Sequence, residues 1–227
     1  MGRGHESKSH VAKRSNACWL IAAAALAALA ALALAPTPAT AKTKTKTFKN
    51  TSSIAIPDAV ETPSSYRAGS AASKLRVGRK GTIKNVKVRV QVTHPNTAEL
   101  DLYAFNGTTY VPLALGGFGL PPIVFSSGGA GAAGLPSGGA DFGGGKACKG
   151  AKTVFDGRAE RFISEGQNPY AGTFLPALYY VPLSTFKQTQ LRGRWRLLVT
   201  DSAPGDTGTI ECFSVRVKYE TRSGSGR

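Results

Sequence analysis

Lys84-Asn85-Val86-Lys87-Val88-Arg89-Val90-Gln91-Val92-Thr93 alternates without a break. Four valines fall on one face; Lys87, Arg89 and Gln91 fall on the other. A period of two built from β-branched residues is the signature of a half-buried strand. Leu100, Leu102 and Ala104 repeat it, as do Trp195, Leu197 and Val199, with Arg194 and Arg196 turned the other way. Phe213, Val215, Val217 and Tyr219 make a last strand, facing away from Cys212, Ser214, Arg216 and Lys218. Past residue 41 no segment sustains an apolar 3.6-residue period, and Arg158 to Ser164 alone offers a turn or two of helix. Asn106-Gly107 between apolar runs predicts a hairpin. Asp201 to Gly208, with Pro204, Gly205 and Asp206 between, predicts a compact turn joining two late strands. These signals together predict an all-β, antiparallel sandwich or barrel.

Composition agrees. The 227 residues include 27 Gly and 13 Pro, and 19% are charged, which is too much turn chemistry and too few charges for a helical bundle. A hydrophobic content of 41% supports a real core and excludes wholesale disorder. With three His and three Cys, multi-His centres and zinc fingers are excluded.

The first residues read as an address. Arg3, Lys8, Lys13 and Arg14 precede an apolar run from Cys18 to Ala35, followed by Pro36 and Pro38 and the triplet Ala39-Thr40-Ala41. A basic start, an apolar stretch and a small-residue site describe a secretory signal peptide, cleaved after Ala41, with Ala39 and Ala41 as the recognition positions. An uncleaved membrane anchor is the alternative, because the apolar run is long enough to span a bilayer. The exported chain keeps Cys148 and Cys212, which read as one disulfide in an oxidising compartment, the alternative being two free thiols. Its only histidine is His94.

The chain thus divides into a signal peptide (1–41), a flexible Lys/Thr leader (42–50), a β-sandwich (51–220) and a flexible tail (221–227). The leader alternates Lys42, Lys44 and Lys46 with threonines and has no apolar face. Within the sandwich, residues 116–150 hold 13 of the 27 glycines and read as a long surface loop.

The order of motifs resembles the P domain (P/Homo B domain) that follows the catalytic domain in proprotein convertases and related secreted subtilisin-like proteases. The resemblance runs from Thr51 to Tyr219. It rests on Ile54-Ala-Ile-Pro57-Asp58; Gly81 through the valine strand to Thr93-His94; Glu99-Leu100-Asp101-Leu102; Thr153-Val-Phe155-Asp156; Leu183-Ser184-Thr-Phe186; and Gly193-Arg-Trp195 through Asp201, Gly205, Asp206 and Gly208 to Ile210. It implies a jelly-roll β-sandwich and an association with proteolysis. The sequence departs from the pattern where Gly157 follows Asp156, where Phe213 replaces a tryptophan, and in the length of its Gly-rich insert. No protease domain accompanies these motifs in the sequence. The resemblance therefore brings no catalytic machinery, and the expected role is an exported accessory or binding module acting with a subtilisin-like protease or another extracellular protein. A component of a secreted serine-endopeptidase system and an envelope-associated structural protein are the competing roles.

Three constellations could carry chemistry. A Ser-His-Asp site would have to use His94, because no other histidine follows residue 41. His94 sits at a strand end before Pro95, while Ser184 and Ser202 lack a Gly-x-Ser-x-Gly context, so it reads as structural. Asp101, Asp156, Asp201 and Asp206 stand at strand ends and in turns and are the calcium candidates, although Asp201 and Asp206 are equally explained as turn-pinning side chains. No cofactor is required by the sequence. Finally, Lys74, Arg76, Arg79, Lys80, Lys84, Lys87 and Arg89 lie within 16 residues, and Arg192, Arg194, Arg196, Arg216 and Lys218 project from the outward faces of two late strands. If those faces coincide, they form a positive side for anionic envelope polymers; otherwise they keep the protein soluble. Specific nucleic-acid recognition is not expected, since no aromatic-basic strand motif of an RNA reader is present.

Overall fold

In the computed structural model, which describes residues 41–116, 135 and 139–222, ten of twelve strands build a two-layer sandwich. Residues 1–40 of the expected signal peptide, including Ala39, lie outside the described residues, as do much of the Gly-rich segment and residues 223–227, whereas Ala41 is described. The strands are β1 (Ala41–Asn50), β2 (Ile54–Ile56), β3 (Val60–Thr62), β4 (Ser65–Arg67), β5 (Gly69–Val77), β6 (Thr82–Thr93), β7 (Leu100–Asn106), β8 (Thr109–Leu115), β9 (Thr153–Asp156), β10 (Gly172–Phe174), β11 (Gly193–Asp201) and β12 (Gly208–Arg222).

One sheet runs β1-β12-β6-β9-β10, with β2 also on β12; the other runs β5-β11-β7-β8; β3 and β4 form a separate hairpin. All pairs are antiparallel except β9 with β10. The valine strand is β6, and Val86, Val88, Val90 and Val92 are buried against Val215, Val217, Trp195, Leu197 and Val199. Each such side chain removed from water contributes about 1.5–3 kcal/mol. Trp195 is fully buried, donates its indole N–H to the Leu191 carbonyl at 3.3 Å and packs on Phe186 at 5.2 Å between ring centres. The Asn106-Gly107 turn joins β7 to β8, with Gly107 at φ 64°. That left-handed conformation suits glycine in a tight hairpin.

Three expectations need correction. The stretch 42–50 is not a flexible leader but most of β1, paired along its length with β12 from Ala41↔Arg222 to Asn50↔Phe213. The Lys-Thr alternation is itself a period of two with β-branched threonines, and β12 offers it an open edge of backbone donors and acceptors. Thr43, Thr45, Thr47 and Lys49 share the outward face of β12, while Phe48 stands opposite Val215 and packs on the core. Second, β12 continues through Thr221 and Arg222, where a tail was expected. Third, the helix expected over Arg158 to Ser164 reduces to one 3-10 turn, Ile163–Glu165.

The described part of the Gly-rich segment is fastened to the sandwich. Phe142 is fully buried and exchanges backbone hydrogen bonds with Val92. The Gln91 side-chain amide nitrogen meets the carbonyls of Gly144, Lys149 and Ala151. Cys148 is joined to Cys212, 64 residues away in sequence. A loop of that length gives roughly 4 kcal/mol of stabilisation in the chain-entropy picture. Cys212 does leave β12 on the side opposite Phe213, yet it is buried, since the segment folds over it.

Candidate functional site: a buried histidine–carboxylate clasp

The densest chemistry lies at one end of the sandwich, where β6 runs out, β7 begins and the β11–β12 turn crosses. His94 Nε2 stands 3.1 Å from Asp201 Oδ2 and 2.9 Å from Asp206 Oδ1. The side chains of His94 and Asp201 are wholly buried, and that of Asp206 is partly so. On the other edge of the ring, Nδ1 accepts the Asn96 N–H at 3.1 Å and lies 2.8 Å from the Asn96 carbonyl. Asn96 also accepts the Ala98 N–H at 3.2 Å and donates its side-chain amide to Glu99. Asp201 accepts the Ala203 N–H through Oδ1 at 3.2 Å. Asp58 accepts the Gly205 N–H with both oxygens, at 3.1 and 3.0 Å. From the Gly-rich segment, Asp141 accepts the His94 N–H at 2.9 Å.

The local sequence explains the shape. Pro95 follows His94 and ends the strand, because proline has no ladder donor. Asn96 and Glu99 stand in the Asn-x-x-Glu spacing of a helix start, here one 3-10 turn, Thr97–Glu99. Gly208 is required at its position: a Cβ there would lie 2.6 Å from both His94 Cδ2 and the Thr93 carbonyl oxygen.

Burial pushes the Asp201 carboxyl above its ordinary value; the Ala203 and His94 hydrogen bonds and the His94 charge oppose this, and Asp206 adds to it. Burial likewise raises Glu99, opposed by the Asn96 hydrogen bond. Tyr66, which donates to the Ser202 carbonyl at 2.7 Å, is raised by burial and then by Asp201 and Asp101.

Ionised carboxylates only accept, so with Asp201 and Asp206 ionised Nε2 carries the hydrogen between them. In a serine triad the imidazole nitrogen turned away from the carboxylate takes the hydroxyl proton, and here that nitrogen, Nδ1, already accepts the Asn96 N–H. Ser202 instead donates its hydroxyl to the Glu99 carbonyl at 2.9 Å. With Nε2 facing two carboxylates and Nδ1 accepting a backbone N–H, this geometry gives His94 a clasping task.

The four calcium candidates do not form one cluster. Asp201 and Asp206 converge on His94. Asp101 is fully buried on β7 and accepts the Gly116 N–H at 3.1 Å, with the Tyr103 hydroxyl at 3.5 Å. Asp156 is ion-paired with Lys87 on β6, seven residues from His94, which is about 23 Å at a strand's rise. Among the described residues the possible cation ligands that do cluster are His94, Glu99 and Asp206, with ligand atoms within 4.8 Å of one another. Two carboxylates and one imidazole are fewer oxygens than calcium takes, and a cation there would compete with the hydrogen bonds His94 already makes. Glu99 and Asp141 were not among the expected site residues; the Asn96-to-Glu99 spacing was the available signal for the first.

The basic residues do not share one side. Lys84, Lys87, Arg89, Arg216 and Lys218 belong to the six-stranded sheet, where Lys84 pairs with Glu220 at 3.0 Å and Lys87 with Asp156. Arg194 and Arg196 leave β11 on the outer face of the four-stranded sheet, with Arg192 in the turn before it. The two outer faces turn away from each other across the common core, so a single positive side combining them does not form.

No protein-family model matches the chain, and no curated protein matches it. Two solved structures are similar to it: an Aeromonas sobria serine protease in complex with its chaperone, and the serine protease of Aeromonas sobria. Their TM-scores are 0.39 and 0.38, each at 16% identity, over 86% and 85% of this chain and 29% of theirs. The chain therefore spans less than a third of the length of the chains it matches.

Proposed function

We propose that the chain is an exported, non-catalytic module of P-domain type that works with a secreted subtilisin-like serine protease. One observation carries the reading. The separated motifs behind the resemblance meet at one place: Asp58 holds Gly205, His94 holds Asp201 and Asp206, and Glu99 receives Ser202 through its carbonyl. Residues spread from Asp58 to Gly208 thus serve a single architectural unit, as expected of a domain signature rather than of chance matches. The Cys148–Cys212 bond supports export, because disulfides persist in oxidising compartments. Cleavage after Ala41 would start the mature chain at the beginning of β1.

The test pairs the purified full chain with a secreted subtilisin-like protease from the same cells. The expected result is a slower thermal inactivation or an altered peptide preference of the protease, with no hydrolysis by the chain alone. A fluorophosphonate probe that labels the chain, with labelling lost in His94→Ala, would overturn the non-catalytic reading. An unchanged protease would overturn the partner.

A further inference from the structure

On the outer face of the four-stranded sheet, Arg76 of β5 lies directly across from Arg194 of β11, and Lys74 directly across from Arg196. All four are exposed, and among the described residues none of them is ion-paired. Like charges on directly opposed positions of an antiparallel pair destabilise it. Here two consecutive rungs carry the arrangement. The six-stranded sheet has a comparable rung, Arg216 across from Lys87, but there Asp156 stands next in line and neutralises Lys87. The uncompensated pairs on the second sheet are the sort of local violation that marks a binding surface, because a bound anion supplies the missing charge.

The lysine–arginine rung continues into aromatic side chains. Arg196 lies opposite Phe105 of β7 and places its guanidinium 4.3 Å from the ring centre. Phe105 lies opposite Tyr110 of β8, the rings stacked at 5.7 Å, and Tyr110 is 41% exposed. One straight row across four strands therefore reads cation, cation, ring, ring, with the two arginines of the next rung about 7 Å along the strands.

We propose that this face binds an anionic polysaccharide, with Lys74, Arg76, Arg194 and Arg196 meeting its carboxylate or sulfate groups and Phe105 and Tyr110 giving its sugar rings an apolar shelf. Preference for a glycan over a nucleic acid rests on the export reading above, since surface polymers are the polyanions of that compartment. The binding itself does not depend on any protease, so its failure and the failure of the partner reading are separate results.

The experiment measures binding of the purified full chain to polygalacturonate, dextran sulfate, neutral dextran and oligo-dT across a salt series. One or both acidic glycans should bind with steep salt dependence and neutral dextran should not; the two acidic probes separate carboxylate from sulfate recognition. Arg194→Gln with Arg196→Gln should weaken glycan binding by about tenfold or more, whereas Arg216→Gln with Lys218→Gln, an equal loss of charge on the opposite face, should change it by less than about twofold. Lys74→Gln with Arg76→Gln should reproduce the loss from the neighbouring strand, which covers misfolding of the first variant. Equal losses from both faces, tighter binding of oligo-dT than of either glycan, or no acidic-glycan binding would each overturn the proposal.

Discussion

The clasp around His94 and the outer face of the four-stranded sheet treat charge in opposite ways. In the clasp, unlike groups meet with His94 and Asp201 wholly withdrawn from water. On the face, like groups stand opposite one another in full contact with water. A buried charge survives only with a partner, so the clasp has to be satisfied and its removal is costly. Exposed like charges are tolerated because solvent screens them, and their removal relieves a small repulsion. One region therefore serves the architecture, and the other has a cost in stability that architecture does not explain.

This contrast predicts effects of opposite sign. The largest is expected from His94→Ala, which leaves the Asp201 carboxylate in the core with the Ala203 N–H as its remaining hydrogen-bond donor among the described residues. Urea unfolding of the full chain should show a loss of about 3–5 kcal/mol. A loss below about 1 kcal/mol would mean that the clasp is ornamental rather than structural. Next comes Gly208→Ala, whose Cβ would press on His94 and the Thr93 carbonyl. It should cost about 1–3 kcal/mol through overpacking while leaving every charge in place. If it matched wild type, the tight fit behind the clasp would be refuted.

On the face, Arg194→Gln with Arg196→Gln should raise stability, by about 0.2–1 kcal/mol for each relieved pair. A clear fall in Tm would show that these arginines stabilise the sheet and would blunt the contrast. The finest effect lies in pH. Burial raises the Asp201 and Glu99 carboxyls, so the folded chain holds these protons to higher pH than the unfolded chain does. Their contribution is therefore most favourable at low pH and is lost as pH rises from the ordinary carboxylate value, near 3.8 for Asp201, through the raised one. Asp201→Asn should flatten that part of the Tm profile. The face variant should leave its slope unaltered, since it removes no carboxylate.

Much of the fold was legible because strand faces are a local property. Val86 to Val92, Trp195 to Val199 and Phe213 to Tyr219 show their buried side through period two alone. The Asn106-Gly107 hairpin and the Asp201–Gly208 turn were legible through residue chemistry. β1 was misread because lysines dominated the reading of a segment whose pairing is made by its backbone. β5 was missed for a related reason: Lys74 and Arg76 drew attention as charge, while Ala71, Ser73, Leu75 and Val77 alternate behind them as buried positions.

The site was legible only in pieces. Asp201, Asp206 and His94 each stood out, but as a calcium candidate pair and a lone strand-end histidine. Their union requires β6 to end beside the β11–β12 turn, which no local pattern encodes.

By itself, then, the sequence determined the class of fold, the inward face of its principal strands and the positions of its main turns, because each depends on neighbours two to four residues apart. Tertiary structure alone decided which carboxylates reach His94, which lysines find an acid and which arginines face each other. Those outcomes depend on strand order and register between segments as distant as Arg76 and Arg194, where a shift of one residue would turn every side chain to the other face.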